Sequence, residues 1–182
     1  MQPFEITLKN DKRKQYDTIA LFIIIINLAL FIYLAISSDI KSIRISAITG
    51  IIFIIISLAI DFFITKAKQK DSHFKIIAEY IVALSWFQMG FWWMGIAIAL
   101  LGALHFISKR QLLVSVVKKH ISYPSFPKKN LAWAELNNIV LKDGLLTIDL
   151  KNNRFIQQPI DEMKTSVNEA EFNDFCREQL KK

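Results

Sequence analysis

Hydrophobic residues form three long runs within the first 108 positions of the chain. The runs cover 18–36, 46–65 and 74–108, and each reaches the length of about 20 residues that a helix needs to cross a bilayer. As one helix, the third run would extend about 50 Å, well beyond the hydrocarbon core of about 30 Å. The pattern therefore predicts an integral membrane protein.

The middle of the third run predicts a hairpin. Gln88 and Gly90 lie at its centre, among aromatic side chains of the kind that favour the membrane–water interface. These aromatic residues are Trp86, Phe87, Phe91, Trp92 and Trp93. We therefore expect four helices, at about 18–36, 46–65, 73–89 and 91–108. A single tilted third helix, or a partly interfacial one, is the alternative.

The remaining segment, 109–182, has the pattern of a small α+β domain. Apolar residues alternate with others from Leu112 to Val116 and again over 145–150, which is typical of strands. Asp143-Gly144 predicts a hairpin turn. Ser166 and Glu169 have the spacing of a capping box, and the helix that follows is expected to dock one face on the sheet. That face carries Phe172, Phe175, Cys176 and Gln179 or Leu180.

Composition and charge support a membrane location. The chain is 53% hydrophobic, above the soluble average of about 45–50%. Its net charge of +7 comes from Lys and Arg that cluster beside the apolar runs, where they set orientation and attract anionic lipid headgroups rather than nucleic acid. We expect a multi-pass protein of the bacterial cytoplasmic membrane, with both termini and the segment 1–17 cytoplasmic.

The single cysteine, Cys176, excludes an internal disulfide and a multi-cysteine metal site. We expect an inert, packed thiol. The first apolar run has membrane length and no small-residue cleavage site, so it is expected to stay as an anchor rather than to be removed as a signal peptide.

Three ionisable residues fall near one depth of the predicted membrane domain, namely Asp61, Glu79 and His105. Ionisable groups inside a membrane are costly and often functional. Two carboxylates and an imidazole are able to hold a divalent cation or relay protons. Alternatively, these residues reach headgroup water and pair with neighbouring lysines, namely Lys66, Lys75 or Lys109. No HExxH spacing is present, and we predict no metal, no cofactor and no catalytic residue.

Other polar residues of the runs are assigned to helix architecture. Asn27 lies midway along the first run, where an interhelical hydrogen bond is expected. Asp17 or Thr18 is a candidate N-cap for the first helix, and Asp71 or Ser72 for the third. The fourth helix carries small residues, among them Gly95 and Gly102, that favour close helix packing.

The tail carries a resemblance to a known family. Its residues Trp133-Ala-Glu135-Leu136, the Asp143-Gly144 turn and Leu146-Thr-Ile148 resemble the bacterial pleckstrin-homology-like domains of small membrane proteins. The opening residues Phe4 to Asp11 are similar to the segment before the first membrane helix in YcxB-like proteins. The resemblance implies that this segment returns to the tail as an extra strand or packing element. It also implies a membrane-associated protein without known catalytic residues.

These patterns predict a non-enzymatic scaffold or accessory subunit that presents a pleckstrin-homology-like (PH-like) module to a protein partner, a second copy or a lipid surface. The expected contact residues are Lys118, Lys119, Tyr123, Phe126, Lys128 and Lys129. Trp133 is expected to pack in the core or against the membrane. The alternative is a small transporter or membrane enzyme that uses Asp61, Glu79 and His105 as its polar centre.

Overall fold

The structure, a computed structural model, describes residues 4–68 and 72–181. These residues divide into two compact units. The helical unit covers 11–68 and 72–110, and the sheet unit combines 4–10 with 111–181. The predicted helix cap Asp71 and the basic-loop residue Lys70 lie outside the described residues.

The helical unit contains four helices: α1 (Lys12–Ser37), α2 (Lys41–Lys68), α3 (Phe74–Gln88) and α4 (Trp92–Ser108). Met89, Gly90 and Phe91 form the predicted α3–α4 turn, in which Gly90 has a φ of 86°. The α1 and α2 helices begin several residues before their predicted starts. The cap prediction for Asp17 and Thr18 is therefore wrong, since both lie inside α1.

Two of the four helices, Lys12–Ser37 and Lys41–Lys66, are long and apolar enough to cross a membrane. Only 22% and 28% of their apolar windows are buried, so neither is enclosed like the core helix of a soluble protein. The α3 and α4 helices have 15 and 17 residues, or about 22 and 25 Å at 1.5 Å per residue. Four membrane-length helices are predicted from the sequence, and two of the helices in the structure have that length.

The helical unit has a mixed interior and an apolar exterior. Its apolar core includes Ile24, Phe31 and Val82. The buried polar residues of this unit are Asn27, Ser57, Asp61, Ser72, Glu79, Ser85, His105 and Lys109. In contrast, large apolar residues such as Phe22, Phe53 and Phe63 are more than half exposed. Soluble proteins bury such side chains and rarely expose continuous apolar surfaces. This arrangement instead suits a lipid environment.

The predicted interhelical hydrogen bond of Asn27 is confirmed. Trp86 Nε1 of α3 donates to Asn27 Oδ1 of α1 at 2.7 Å, and the Trp86 ring also meets Phe31 edge to face. Trp86 is therefore a buried packing residue and not part of an interfacial aromatic belt. Trp92 and Trp93, in contrast, are exposed beside the α3–α4 turn.

The sheet unit contains two antiparallel sheets and one helix. The first sheet has the order β1 (Phe4–Leu8), β2 (Leu112–Val116), β3 (Ile121–Tyr123) and β4 (Lys129–Leu131). The second has the order β5 (Leu136–Lys142), β6 (Leu145–Leu150) and β7 (Phe155–Pro159). The helix α5 (Glu169–Leu180) follows. The strands of the predicted α+β domain thus form two sheets, and a bridge between Leu8 and Ile160 joins them.

The N-terminal segment pairs with the tail. Strand β1 lies antiparallel to β2 from Phe4 opposite Val116 to Leu8 opposite Leu112. Ile6 and Leu8 are almost fully buried in the core of the sheet unit. The described part of the predicted segment 1–17, residues 4–17, is therefore divided between a strand of the sheet unit and the first turns of α1.

Turns and caps of the sheet unit follow mostly local chemistry. Asp143 and Gly144 both have positive φ, as the predicted hairpin turn requires. The α5 helix is capped by Asn168, whose Oδ1 accepts from the backbone N–H groups of Ala170 and Glu171. The prediction of Ser166 as the cap is therefore wrong. The docked face of α5 is as predicted, with Phe172, Phe175, Cys176 and Gln179 buried.

We expect Cys176 to resist thiol reagents while the sheet unit is folded. Its burial raises the pKa of its thiol to about 12, whereas an exposed cysteine ionises near about 8.5. The reactive thiolate is therefore scarce in the folded protein between about pH 7 and about pH 9. Labelling of the purified chain with a chromogenic disulfide reagent should stay slow over this range and become roughly a hundredfold faster in denaturant.

A variant with Cys176→Ala and Lys151→Cys provides the control. Lys151 is exposed, so its replacement thiol should react at once and faster as the pH rises. Equally rapid labelling of native Cys176 would contradict its placement in the core.

Candidate functional site

Four charged side chains meet at the end of the helical unit where α1 and α3 begin and α4 ends. His105 Nδ1 lies 2.7 Å from Glu79 Oε2, and His105 Nε2 lies 2.9 Å from Asp17 Oδ1. Lys109 Nζ lies 2.8 Å from the same Asp17 oxygen and donates to the Ser72 carbonyl at 2.6 Å. We call Asp17, Glu79, His105 and Lys109 the charged cluster.

The charged cluster is electrically balanced when His105 is protonated. Each ring nitrogen faces a carboxylate oxygen, and both hydrogen bonds form at once when both nitrogens carry a proton. Two carboxylates, one imidazolium and one ammonium then sum to zero charge. Glu79 and His105 are only 1% and 2% exposed, so an unpaired charge at either position would be costly. The cluster therefore ties α1, α3 and α4 together.

Gly102 lies one turn before His105 along α4 and faces α3. A Cβ at this position would lie 3.6 Å from Glu79 Cβ, which is an ordinary van der Waals contact. Of the small residues predicted to face a neighbouring helix, Gly95 and Gly102 are buried. A Cβ at Gly95 would meet the Phe87 ring at 2.8 Å, so any larger residue there would force α3 and α4 apart.

Asp61 does not join Glu79 and His105. Its Oδ2 lies 3.6 Å from Lys75 Nζ of α3, a separation beyond a normal hydrogen bond. The predicted trio is therefore divided between the charged cluster and a separate Asp61–Lys75 pair.

Sequence reasoning missed Asp17 as a member of the cluster, because the predicted first helix began after it. The α1 helix begins at Lys12, and a predicted helix extended back over Lys12–Tyr16 would have included Asp17. Lys109, in contrast, is among the lysines predicted as ion-pair partners.

Within residues 4–68 and 72–181, no group of three or more His, Cys, Asp or Glu side chains is arranged to hold a metal ion. In the charged cluster, atoms that could bind a metal ion are already paired with other side chains. Both nitrogens of His105 already face carboxylates, and the Lys109 ammonium contacts the Asp17 oxygen that a cation would need.

The predicted contact surface of the tail is exposed except at one residue. Lys118, Lys119, Lys128 and Lys129 are exposed, and Phe126 is 70% exposed. Tyr123 is half-buried, packs against the core and donates its hydroxyl to Gln158 Oε1 at 2.9 Å. Burial also raises the pKa of this hydroxyl, so Tyr123 is a structural residue. Lys118 and Lys119 lie in the turn before β3, whereas Phe126 and Lys128 lie in the turn after it and Lys129 begins β4. We call Phe126, Lys128 and Lys129 the basic surface.

Trp133 packs against the core of the sheet unit. Its ring meets Phe175 of α5 edge to face, and its Nε1 donates to the Val117 carbonyl at 3.1 Å. The indole N–H is thus satisfied inside the protein, which agrees with a packing residue and leaves no ligand platform.

Comparison of this chain with protein-family models, with curated proteins and with solved structures gives no match. Function is therefore argued from the residues and their geometry.

We expect Glu79 and His105 to be energetically coupled. His105→Gln leaves the buried Glu79 carboxylate without a cation, which costs about 3–5 kcal/mol of unfolding free energy. Glu79→Gln leaves His105 paired with Asp17 alone and should cost less. The double variant removes both groups, and its loss should be smaller than the sum by at least about 1 kcal/mol. Unfolding of the purified chain in detergent, followed by circular dichroism, measures these differences.

The exposed pair Asp174 and Arg177, whose side chains are both 67% exposed, serves as the control. The double variant Asp174→Asn/Arg177→Gln should unfold like the wild type, because exposed ion pairs contribute little. Additive effects of Glu79→Gln and His105→Gln would show that the two groups do not interact as described.

Proposed function

We propose that this chain is an integral protein of the bacterial cytoplasmic membrane that holds a PH-like interaction module at the cytoplasmic face. The observation that carries the proposal is the distribution of residues in the helical unit, which exposes many large apolar side chains and buries several polar and charged ones. In lipid, helices associate through small residues and hydrogen bonds. Gly102, the Asn27–Trp86 bond and the charged cluster provide both kinds of contact.

The pairing of β1 with β2 limits the number of crossings. Leu8 lies directly opposite Leu112, so both sit on the same side of any membrane that the helical unit crosses. The chain between them must cross an even number of times. A topology with three crossings is incompatible with this pairing, which leaves two or four.

Four crossings suit the hairpin of α3 and α4 better than two. Trp92 and Trp93 are exposed beside its turn, and exposed Trp favours the membrane–water interface. The buried face of α3 packs against α1 and α2, so the hairpin occupies the same depth as the two longer helices. The short length of α3 and α4 is compatible with local thinning of the bilayer.

A cytoplasmic position of both termini is supported by charge. Lys12, Arg13 and Lys14 open α1, and Lys109 and Arg110 follow α4. Such residues in short flanks favour the cytoplasmic side. The sheet unit would then face the cytoplasm.

The sheet unit is proposed to act as a binding module. It has an intact core of its own, and it presents Phe126, Lys128 and Lys129 as an exposed basic surface. An exposed aromatic residue among lysines suits an acidic protein partner or an anionic lipid surface. The resemblance to PH-like domains supports the same role.

The transporter or enzyme alternative requires Asp61, Glu79 and His105 to converge. Asp61 lies with Lys75 instead, and the partners of Glu79 and His105 are other cluster residues. We therefore favour the scaffold or accessory role.

The topology is tested with single cysteines in a Cys176→Ala background. We expect Asp39→Cys and Gln88→Cys to react with a membrane-impermeant maleimide in intact spheroplasts, because both turns would face outward. Lys151→Cys should react only after permeabilisation. Reaction of Gln88→Cys only after permeabilisation would reduce the crossings to two, and the same response at all three positions would overturn the membrane-spanning proposal.

The basic surface is tested by photocrosslinking in native membranes. A benzoylphenylalanine at Phe126 should give a discrete adduct, and Lys128→Glu/Lys129→Glu should reduce its yield about tenfold because the attraction becomes repulsion. The same probe at Phe155, which is 61% exposed in the same unit, is the control. Mass spectrometry of the adduct distinguishes a protein partner from a lipid, and no adduct at Phe126 would discard this surface.

A further inference from the structure

A cleft of about 390 Å³ opens between the first three helices of the helical unit. It is lined by Leu21 of α1, by Leu58, Asp61, Phe62, Thr65 and Lys66 of α2, and by Lys75 of α3. The exposed side of the cleft is formed by Phe62, Thr65 and Lys66, so a molecule in the surrounding lipid has direct access to it.

The cleft has an apolar wall and a charged end. Leu21, Leu58 and Phe62 form the wall. At the other end, Lys66 Nζ lies 5.4 Å from the centre of the Phe62 ring, and Lys75 Nζ approaches Asp61 without reaching hydrogen-bond distance. Among the described residues that line the cleft, two ammonium groups and one carboxylate give a net charge of +1, with N–H donors available. Lys75 is also attracted by the nearby Asp17 carboxylate.

We propose that this cleft binds one anionic phospholipid, with the headgroup phosphate between Lys66 and Lys75 and one acyl chain along Leu21, Leu58 and Phe62. A phosphate diester carries one negative charge and accepts several hydrogen bonds, which matches the excess positive charge and the donors of the cleft. The inference rests on the proposed membrane location, and it specifies a stoichiometric site within it.

The depth of the lysines agrees with a headgroup site. Lys66 lies at the end of the membrane-length segment of α2, and Lys75 lies in the first turn of α3. Basic pockets between membrane helices at this level are suited to anionic headgroups. The charged cluster, at the same end of the unit, has its ammonium and imidazole already paired, and so it does not compete for the phosphate.

Other ligands fit the cleft less well. A zwitterionic phospholipid would bring an ammonium group next to Lys66 and Lys75. A free phosphate ion would use the lysines and leave the apolar wall without a partner. A metal cation would be repelled by both ammonium groups.

The test is native mass spectrometry of the full chain, titrated in mild detergent with phosphatidylglycerol, phosphatidylethanolamine or phosphatidylcholine of matched acyl chains. We expect one phosphatidylglycerol per chain, bound at least about tenfold more tightly than the other two lipids. Lys66→Gln should weaken this binding about tenfold. Lys41→Gln, a change of the same charge at the other end of α2, should leave it unaltered.

A second variant tests the apolar wall without changing charge. Leu58→Trp should fill the cleft and reduce phosphatidylglycerol binding, whereas Ile55→Trp, on the exposed face of the same helix, should not. Excess inorganic phosphate should not displace the lipid. Equal binding of the three lipids, an unchanged affinity of Lys66→Gln, or displacement by inorganic phosphate would each overturn the site.

These outcomes are separable from failure of the proposed function. The maleimide labelling at Asp39, Gln88 and Lys151 reports the membrane topology independently of lipid selectivity. A spanning protein without selectivity for phosphatidylglycerol would refute the cleft alone.

Discussion

The pairing of Phe4–Leu8 with Leu112–Val116 constrains the whole chain. These strands are separated in sequence by the entire helical unit, and both contribute fully buried side chains, including Ile6 and Val114, to one core. The helical unit must therefore begin and end close together. The resulting two covalent connections also restrict any membrane topology to an even number of crossings. The pairing of these two short strands thus constrains the topology of the full chain.

Inside the helical unit, specific polar contacts accompany the apolar core. When the surroundings are lipid, moving an Ile side chain from the exterior to the interior gains little, because both are apolar. Helices are then held by close approach and by hydrogen bonds that lipid cannot replace. Gly102 beside Glu79 and the Trp86–Asn27 bond are two such contacts. The buried polar residues therefore add specific contacts to an apolar core that includes Ile24, Phe31 and Val82.

Much of the architecture could be predicted from local sequence signals. The apolar runs, the strand alternation and the Asp143-Gly144 turn depend on nearby residues. The errors arise where distant packing decides. The polar residues at the start of α1 carry no hydrophobic signal, so Asp17 was placed outside the helix. Ser and Asn are both good N-cap residues, so the local sequence does not choose between Ser166 and Asn168. In the structure, α5 begins at Glu169 and Asn168 is its N-cap. Tyr123 belongs to the predicted contact surface, yet its side chain packs against the core and its hydroxyl donates to Gln158.

Two groups of charged residues at one end of the helical unit differ in how completely their charges are paired. The fully paired group has a structural role, and the incompletely paired group is suited to binding. In the charged cluster, the distances of 2.7–2.9 Å between opposite charges leave His105 without a free nitrogen. Such a network stabilises the helices and has little capacity for a further ligand. Among the described residues, Asp61 lies 3.6 Å from the Lys75 ammonium, and the Lys66 ammonium lies over the Phe62 ring. Incompletely matched donors beside an apolar wall gain most from an anionic amphiphile. The cleft, rather than the more deeply buried cluster, is therefore the part of this unit best suited to recognition.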